Sequence, residues 1–173
     1  MKSIIFLLAA LIAVRQYAHA KAYFQTESEL VTQSTAIAII ELSDPVDSDQ
    51  KGGTWTYRKS ASAKVIDRVA GTIPDTFTLF GDETFICAQC HLVAGRYLAF
   101  LRRDGDLWAG ANWNLSLRPL KENMIEWYTA PERRFPMTFQ PRANVIGRVR
   151  ELLSKKKQEP KKASSQPRAK NTG

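Results

Sequence analysis

The chain reads as a mostly β protein, a small antiparallel barrel or sandwich closed by one C-terminal amphipathic helix. Several short stretches alternate apolar and polar residues with period two, and clusters of Gly, Pro and Asp separate them. Only the last apolar stretch recurs at helical spacing. Short strands divided by turn signals point away from βαβ units and a parallel sheet.

The elements follow in order. Residues 28–34 have helix-compatible composition and lead into Ala36-Ile37-Ala38-Ile39-Ile40, a β-branched apolar run that reads as a buried strand. Residues 43–53 carry Asp, Pro, Ser and two glycines with little to bury, so they read as a loop. Trp55, Tyr57, Ala61, Ala63 and Val65 then fall on alternate positions, a strand with one face inward. Lys59 breaks that pattern once, as a bulge or a partner-facing edge would. Gly71, Pro74 and Asp75 mark a turn, after which Phe77 and Leu79 alternate with Thr76 and Thr78. Behind Gly95, Tyr97-Leu98-Ala99-Phe100-Leu101 is apolar on both faces, which suits a central strand between two layers. Arg102-Arg103-Asp104-Gly105 supplies hairpin chemistry, and Asp104 and Asp106, flanking the glycine, are expected in solvent. Trp113, Leu115 and Leu117 alternate again, as do Ile125 and Trp127. Val145, Ile146, Val149, Leu152 and Leu153 form the apolar stripe of the closing helix, with Lys155, Lys156 and Lys157 at its C-terminus.

Residues 1–20 have the three parts of a cleavable signal peptide: Lys2, an apolar run from Ile4 to Val14, and Ala18-His19-Ala20. That run falls short of the ~20 residues of a membrane span, and Arg15 interrupts it. The mature chain is expected to begin near Lys21, without a cysteine to carry a lipid, and to be secreted or periplasmic. Residues 21–153 suffice for a single domain. Residues 154–173 are Lys, Pro, Ser and Gln with almost nothing to bury, a disordered basic tail. The formal charge of +8 sits in the leader and this tail, so the domain between them is neutral. Such a tail can make weak contact with an anionic surface. No aromatic residue interleaves with its lysines, which argues against specific nucleic-acid binding.

Two segments carry a family resemblance. Ser34-Thr35-Ala36-Ile37-Ala38-Ile39-Ile40 is similar to the opening strand, and Leu92-Val93-Ala94-Gly95-Arg96-Tyr97-Leu98-Ala99-Phe100-Leu101 to the L-x-x-G-x-x-Y-L-x-F strand, of domains related to tissue inhibitors of metalloproteinases and netrin modules. Between them, residues 63–71 resemble the family's strand that ends at a glycine. The resemblance covers roughly residues 30–127 and implies a five-stranded OB-like barrel, as in exported bacterial domains of that kind. It does not bring the inhibitor's activity. Those inhibitors chelate zinc through an N-terminal cysteine, where Lys21-Ala22-Tyr23 stands here, and their dense disulfide framework is absent because the chain has two cysteines.

Cys87-Ala88-Gln89-Cys90-His91 matches the C-x-x-C-H pattern of covalent c-type haem, in which two thiols add to the vinyl groups and His91 ligates iron. Strand-like flanks, and only Met124 or Met137 as a sixth ligand, argue for a structural reading instead: a Cys87–Cys90 disulfide or a pair of buried thiols. A redox dithiol would need a helix N-terminus or cation beside it. Zinc would need a fourth donor. No catalytic constellation and no metal cluster emerges. Asn114-Leu115-Ser116 is a glycosylation sequon on an expected strand. Trp108, Trp113, Trp127 and Tyr128 offer either core packing or a stacking face for sugar or peptide. The expected function is therefore an exported, non-enzymatic binding or structural module without cofactor, its partner a protein or polysaccharide. A monohaem electron carrier using Cys87, Cys90 and His91 is the alternative.

Overall fold

The computed structural model describes residues 25–85, 89–131 and 133–158. The expected signal peptide, Lys21, Cys87 and residues 159–173 of the tail lie outside them. Helix α1 (Glu27–Gln33) starts with a capping box. The Thr26 N–H donates to the Glu29 carboxylate at 2.8 Å, and the Glu29 N–H to the Thr26 hydroxyl at 3.3 Å. Nine strands follow: β1 (Ala36–Leu42), β2 (Val46–Lys51), β3 (Thr56–Ala70), β4 (Thr76–Glu83), β5 (Gly95–Asp104), β6 (Leu107–Gly110), β7 (Leu117–Lys121), β8 (Met124–Ala130) and β9 (Arg133–Pro141). Helix α2 (Arg142–Gln158) comes last.

Five of these strands close a barrel. β1 pairs with β3, β3 with β4, β4 with β6, β6 with β5, and β5 returns to β1. This is the OB-like barrel with a C-terminal helix that the sequence leads one to expect. One detail differs: β4 and β6 run parallel, with Leu79 opposite Trp108. A ring of five strands cannot alternate direction all the way round, so one seam has to be parallel.

Two cores share β1 and β5. Ala36, Ala38, Ile40 and Leu42 of β1 face the lumen, with Ala99 and Leu101 of β5, Ala61, Ala63, Leu79 and Trp108. The intervening Ile37, Ile39, Leu98 and Phe100 face outward beneath α1, α2 and β8. Burial on both faces is why these two strands read as unbroken apolar runs. The alanines keep the lumen narrow enough for Leu79 and Trp108 to fill it. In the outer layer, Phe100 stacks on Trp127 at 5.6 Å. Glu27, 3% exposed, locks this layer together. It accepts the Trp127 indole N–H at 3.1 Å and the Arg148 Nε–H at 2.7 Å, tying α1 to β8 and α2.

Elsewhere the expectations need correction. Residues 43–53 are not a loop throughout, because β2 pairs with the first part of β3. β1 reaches only residues 63–70 of β3, which leaves the edge at 56–60 to be satisfied by a further strand. Both faces of β2 meet water, so nothing alternates, and Asp47, Asp49 and Lys51 guard its free edge. Lys59 answers Asp47 across that pair at 2.7 Å, and the irregularity lies in β2, between Asp47 and Gln50.

Trp113–Leu115 is a 3-10 turn rather than a strand, and β7 begins only at Leu117. The Asn112 N–H donates to the Ser116 hydroxyl at 2.8 Å and closes the turn, with Trp113 at a positive φ of 34°. The Asn114 sequon thus sits on this turn, its Ser116 fully buried. Helix α2 runs past Ser154, where disorder is expected, to Gln158. Lys155 pairs with Glu151 at 2.6 Å, and the Lys156 ammonium caps the Thr32 carbonyl at 2.7 Å. The sequence pattern does not announce β9, because Pro136 and Pro141 read against a strand; it lies on a sheet edge, where proline is tolerated.

Candidate functional site

The 52–55 connection between β2 and β3 and the tight turn between β5 and β6 meet at Asp104. Asp104 pairs with Leu107, so the turn has only Gly105 and Asp106, and Gly105 takes the positive φ of 64° that this requires. Expected in solvent, Asp104 is instead 3% exposed. Its carboxylate accepts the N–H groups of Thr54 at 2.8 Å and Trp55 at 3.2 Å, and the Tyr57 hydroxyl at 2.8 Å. A side chain at Gly52 would overlap that carboxylate, which is why the tip can close over it. Burial pushes the Asp104 carboxyl up, but the hydrogen bonds from Tyr57, Thr54 and Trp55 outweigh it and hold the group below its ordinary value. Burial, and then the bond to Asp104, raise the Tyr57 hydroxyl far above its ordinary range.

With the tip fixed, Trp55 rests on Phe85 with ring centroids 5.2 Å apart, and Phe85 stacks on Trp113 at 5.8 Å and 21°. All three rings are half-buried. Of the four aromatics considered from sequence for a stacking face, Trp108, Trp127 and Tyr128 are buried, and only Trp113 belongs to this row. Trp108 lies in the lumen beneath the Arg103 guanidinium, 4.2 Å from its ring.

Beside Trp113 opens a cavity of about 370 Å³ lined by Gln25, Gln33, Arg102 and Asn112. Gln25 precedes the N-cap of α1 and Gln33 ends that helix, so one short helix brings both amides to the same mouth. The Gln25 Nε2 donates to Gln33 Oε1 at 2.6 Å, and the Arg102 Nε to the Gly110 carbonyl at 3.2 Å. Gln25 Oε1 is buried and has no hydrogen-bond partner among the described residues. An acceptor left so costs roughly 1–3 kcal/mol until something donates to it. The described lining holds no carboxylate, imidazole, hydroxyl or thiol, and so offers recognition chemistry without an acid, base or nucleophile.

The described part of the cysteine motif, Gln89 to His91, lies against the end of β4. Asp82 donates its N–H to the Cys90 carbonyl at 3.0 Å, Cys90 its N–H to Glu83 Oε2 at 2.7 Å, and Gln89 its amide to the Glu83 carbonyl at 2.8 Å. Cys90 belongs to the lumen core, and a Cβ on Gly110 would crowd its sulfur. Burial, reinforced by Glu83 and Asp82, pushes its thiol well above the ordinary value; burial raises the Glu83 carboxyl as well. His91 goes the other way, its ring 67% exposed and its Nδ1 2.6 Å from Asp82 Oδ1. Cys90 and His91 are therefore not brought to one face. Cys87, and with it the expected disulfide and the alternative haem attachment, lies outside the described residues. Among the described residues no group of three or more His, Cys, Asp or Glu side chains is placed to hold a metal ion, and no helix is long and apolar enough to cross a membrane.

Sequence reasoning missed Trp55, Phe85, Gln25 and Asp104 as members of one site. The T-x-x-E signature at Thr26 could have placed the start of α1, and so Gln25 just outside it. Nothing local marks the contact of Asp104 with a segment some fifty positions away. Comparison of the chain with protein-family models, with curated proteins and with solved structures finds no match.

Proposed function

We propose that this protein is an exported binding module that holds a polysaccharide or protein segment at the barrel end carrying residues 52–55, Phe85 and Trp113. It binds without chemistry and without a cofactor. One observation carries this reading: three aromatic rings stay half exposed in a row beside a polar cavity, and a buried carboxylate fixes the tip that presents the first of them. Isolated exposed apolar residues need no explanation, whereas a contiguous row beside convergent polar groups does. OB-like barrels bind ligands with the connections between the first two and the last two strands of the barrel; here 52–55 ends the first of these, from β1 to β3, and 105–106 is the second, from β5 to β6. The resemblance to tissue-inhibitor and netrin-like domains agrees with an extracellular binding role, by other residues than the inhibitor's chelating cysteine. The lysines beyond Ser154 add a weak, salt-screened attraction to anionic surfaces.

The test is retention of the exported chain on the cell-surface fraction of the producing organism, combined with hydrogen exchange. Retention with protection at 52–55 and 111–116 is expected. It should be lost in the Trp55→Ala, Trp113→Ala double variant at an unchanged unfolding midpoint. Retention that ignores both tryptophans would place binding elsewhere and overturn the proposal.

A further inference from the structure

A second buried carboxylate, Glu83, sits at the same end of the barrel as Asp104, and its side chain belongs to neither the aromatic row nor the cavity. It is the last residue of β4 and is 1% exposed. Tyr57 is paired with it across β3 and β4 and donates its hydroxyl to Asp104, so one tyrosine feels both charges. The two carboxylates are served differently. Asp104 accepts from Thr54, Trp55 and Tyr57. Among the described residues, the Glu83 carboxylate accepts from one other residue, through the Cys90 N–H at 2.7 Å. The cation whose charge reaches it is Arg102, whose Nε turns instead to the Gly110 carbonyl at 3.2 Å.

The stretch 89–92 lies against this carboxylate. Cys90 and Leu92 put their side chains into the lumen core, the Asp82 N–H donates to the Cys90 carbonyl at 3.0 Å, and the Gln89 amide donates to the Glu83 carbonyl at 2.8 Å. Independently of what the aromatic face binds, we infer that Glu83 is a charge-operated latch: neutral, it keeps residues 89–92 seated on β4, and ionised, it loosens them.

Solvation is the reason. A buried carboxylate needs several donors or a direct counter-ion to hold its charge, and Glu83 has neither among the described residues, so its ionised form gains by lifting 89–92 and meeting water. Burial raises its carboxyl above the ordinary 4.5. The N–H groups of Cys90 and of Glu83 itself and the charge of Arg102 oppose this without cancelling it, and Asp82 adds to it. The remaining charges nearby do not neutralise Glu83. Asp82 faces the His91 ring at 2.6 Å and acts on Lys59, while Arg118 of β7 acts on the Cys90 thiol, which burial keeps neutral. With its folded value raised, Glu83 contributes stability that is complete below 4.5 and is lost as pH rises through the folded value. Asp104 has the opposite sense, since its carboxyl is held below the ordinary value.

The test follows the Glu83 carboxyl carbon of the full chain by NMR and reads the seating of 89–92 by hydrogen exchange, corrected for the intrinsic rate. The titration midpoint should lie above 4.5. Opening at the Asp82 and Cys90 amides should grow between about pH 4 and pH 8, by about tenfold for each unit by which that midpoint exceeds 4.5. Glu83→Gln keeps an acceptor for the Cys90 N–H. It should be more stable than the parent in urea at pH 8, equal to it near pH 4, and flat in its opening at both amides. The Thr54 and Trp55 amides, held by Asp104, should not loosen as pH rises; if they do, the response is global and the latch fails. A midpoint at or below 4.5, opening at residues 82 and 90 that ignores pH, or a Glu83→Gln protein less stable than the parent at pH 8 overturns the inference. Should that variant fail to fold, the midpoint and the exchange profile of the parent decide.

Discussion

Replacing Asp104 with alanine should detach the 52–55 tip from the barrel and cost about 2–6 kcal/mol of stability. The figure comes from its three donors. The N–H groups of Thr54 and Trp55 sit on a partly exposed tip and can turn to water, so each loses a net ~0.5–1.5 kcal/mol. The Tyr57 hydroxyl belongs to a residue with 0% exposure and would stay buried without a partner, at roughly 1–3 kcal/mol. Asp104→Asn keeps one acceptor and should cost less. Urea unfolding should show a lower midpoint at constant slope, and hydrogen exchange should accelerate at residues 53–57. A cycle with Tyr57→Phe should reveal coupling of about 1 kcal/mol, since the two groups touch. The pH dependence has a definite sign. The folded carboxyl titrates below the ordinary 3.8, so its contribution is complete above that value and disappears as pH falls through the lower folded value. The gap between parent and Asp104→Asn should therefore close in acid. Strict additivity with Tyr57→Phe, or an alanine variant within about 0.5 kcal/mol of the parent, would refute the reasoning.

Gly81→Ala places a Cβ on the Cys90 carbonyl and should cost about 1–3 kcal/mol, loosening residues 89–93 as hydrogen exchange would register; an unchanged midpoint would contradict the contact. In the reduced native chain Cys90 should resist iodoacetamide at pH 8 and react after denaturation, because burial raises its pKa; rapid native labelling would show the thiol to be open. Glu27→Ala strips the acceptor from the Trp127 indole and a partner from Arg148, so unfolding should come about 2–4 kcal/mol sooner, and a neutral result would mean that the outer layer is held otherwise. Protein exported from a host with haem-attachment machinery should be colourless, and a Soret band with one added haem mass would return the function to Cys87, Cys90 and His91.

Much of the barrel was legible because its signals are local. The apolar runs at Ala36 and Tyr97 mark strands buried on both faces. The alternation from Trp55 to Val65 and the Asp104-Gly105 turn mark a half-buried strand and a hairpin, and the stripe from Val145 to Leu152 marks the closing helix. What escaped lacks such a signal. β2 buries neither face, so it has no apolar pattern to read. The alternation of Trp113, Leu115 and Leu117 mimics a strand, although the Asn112 N–H donates to the Ser116 hydroxyl and closes a turn there. Helix α2 outlasts its apolar stripe because Lys155 and Lys156 find partners on its own face and on α1.

The candidate site divides along the same line. Residue order alone determined that the chain is mostly β, that an amphipathic helix closes it, and that its net charge gathers in residues 1–20 and 154–173. Tertiary structure decided that Asp104 is buried, that Trp108 and Trp127 pack while Trp55, Phe85 and Trp113 line up, and that Gln25 meets Gln33 and Arg102 around a cavity. Periodicity reports which face of an element is apolar, since each residue's neighbours along the chain set that face. Whether a carboxylate is solvated or a ring exposed depends on groups about thirty to fifty positions away, and only closure of the barrel brings those together.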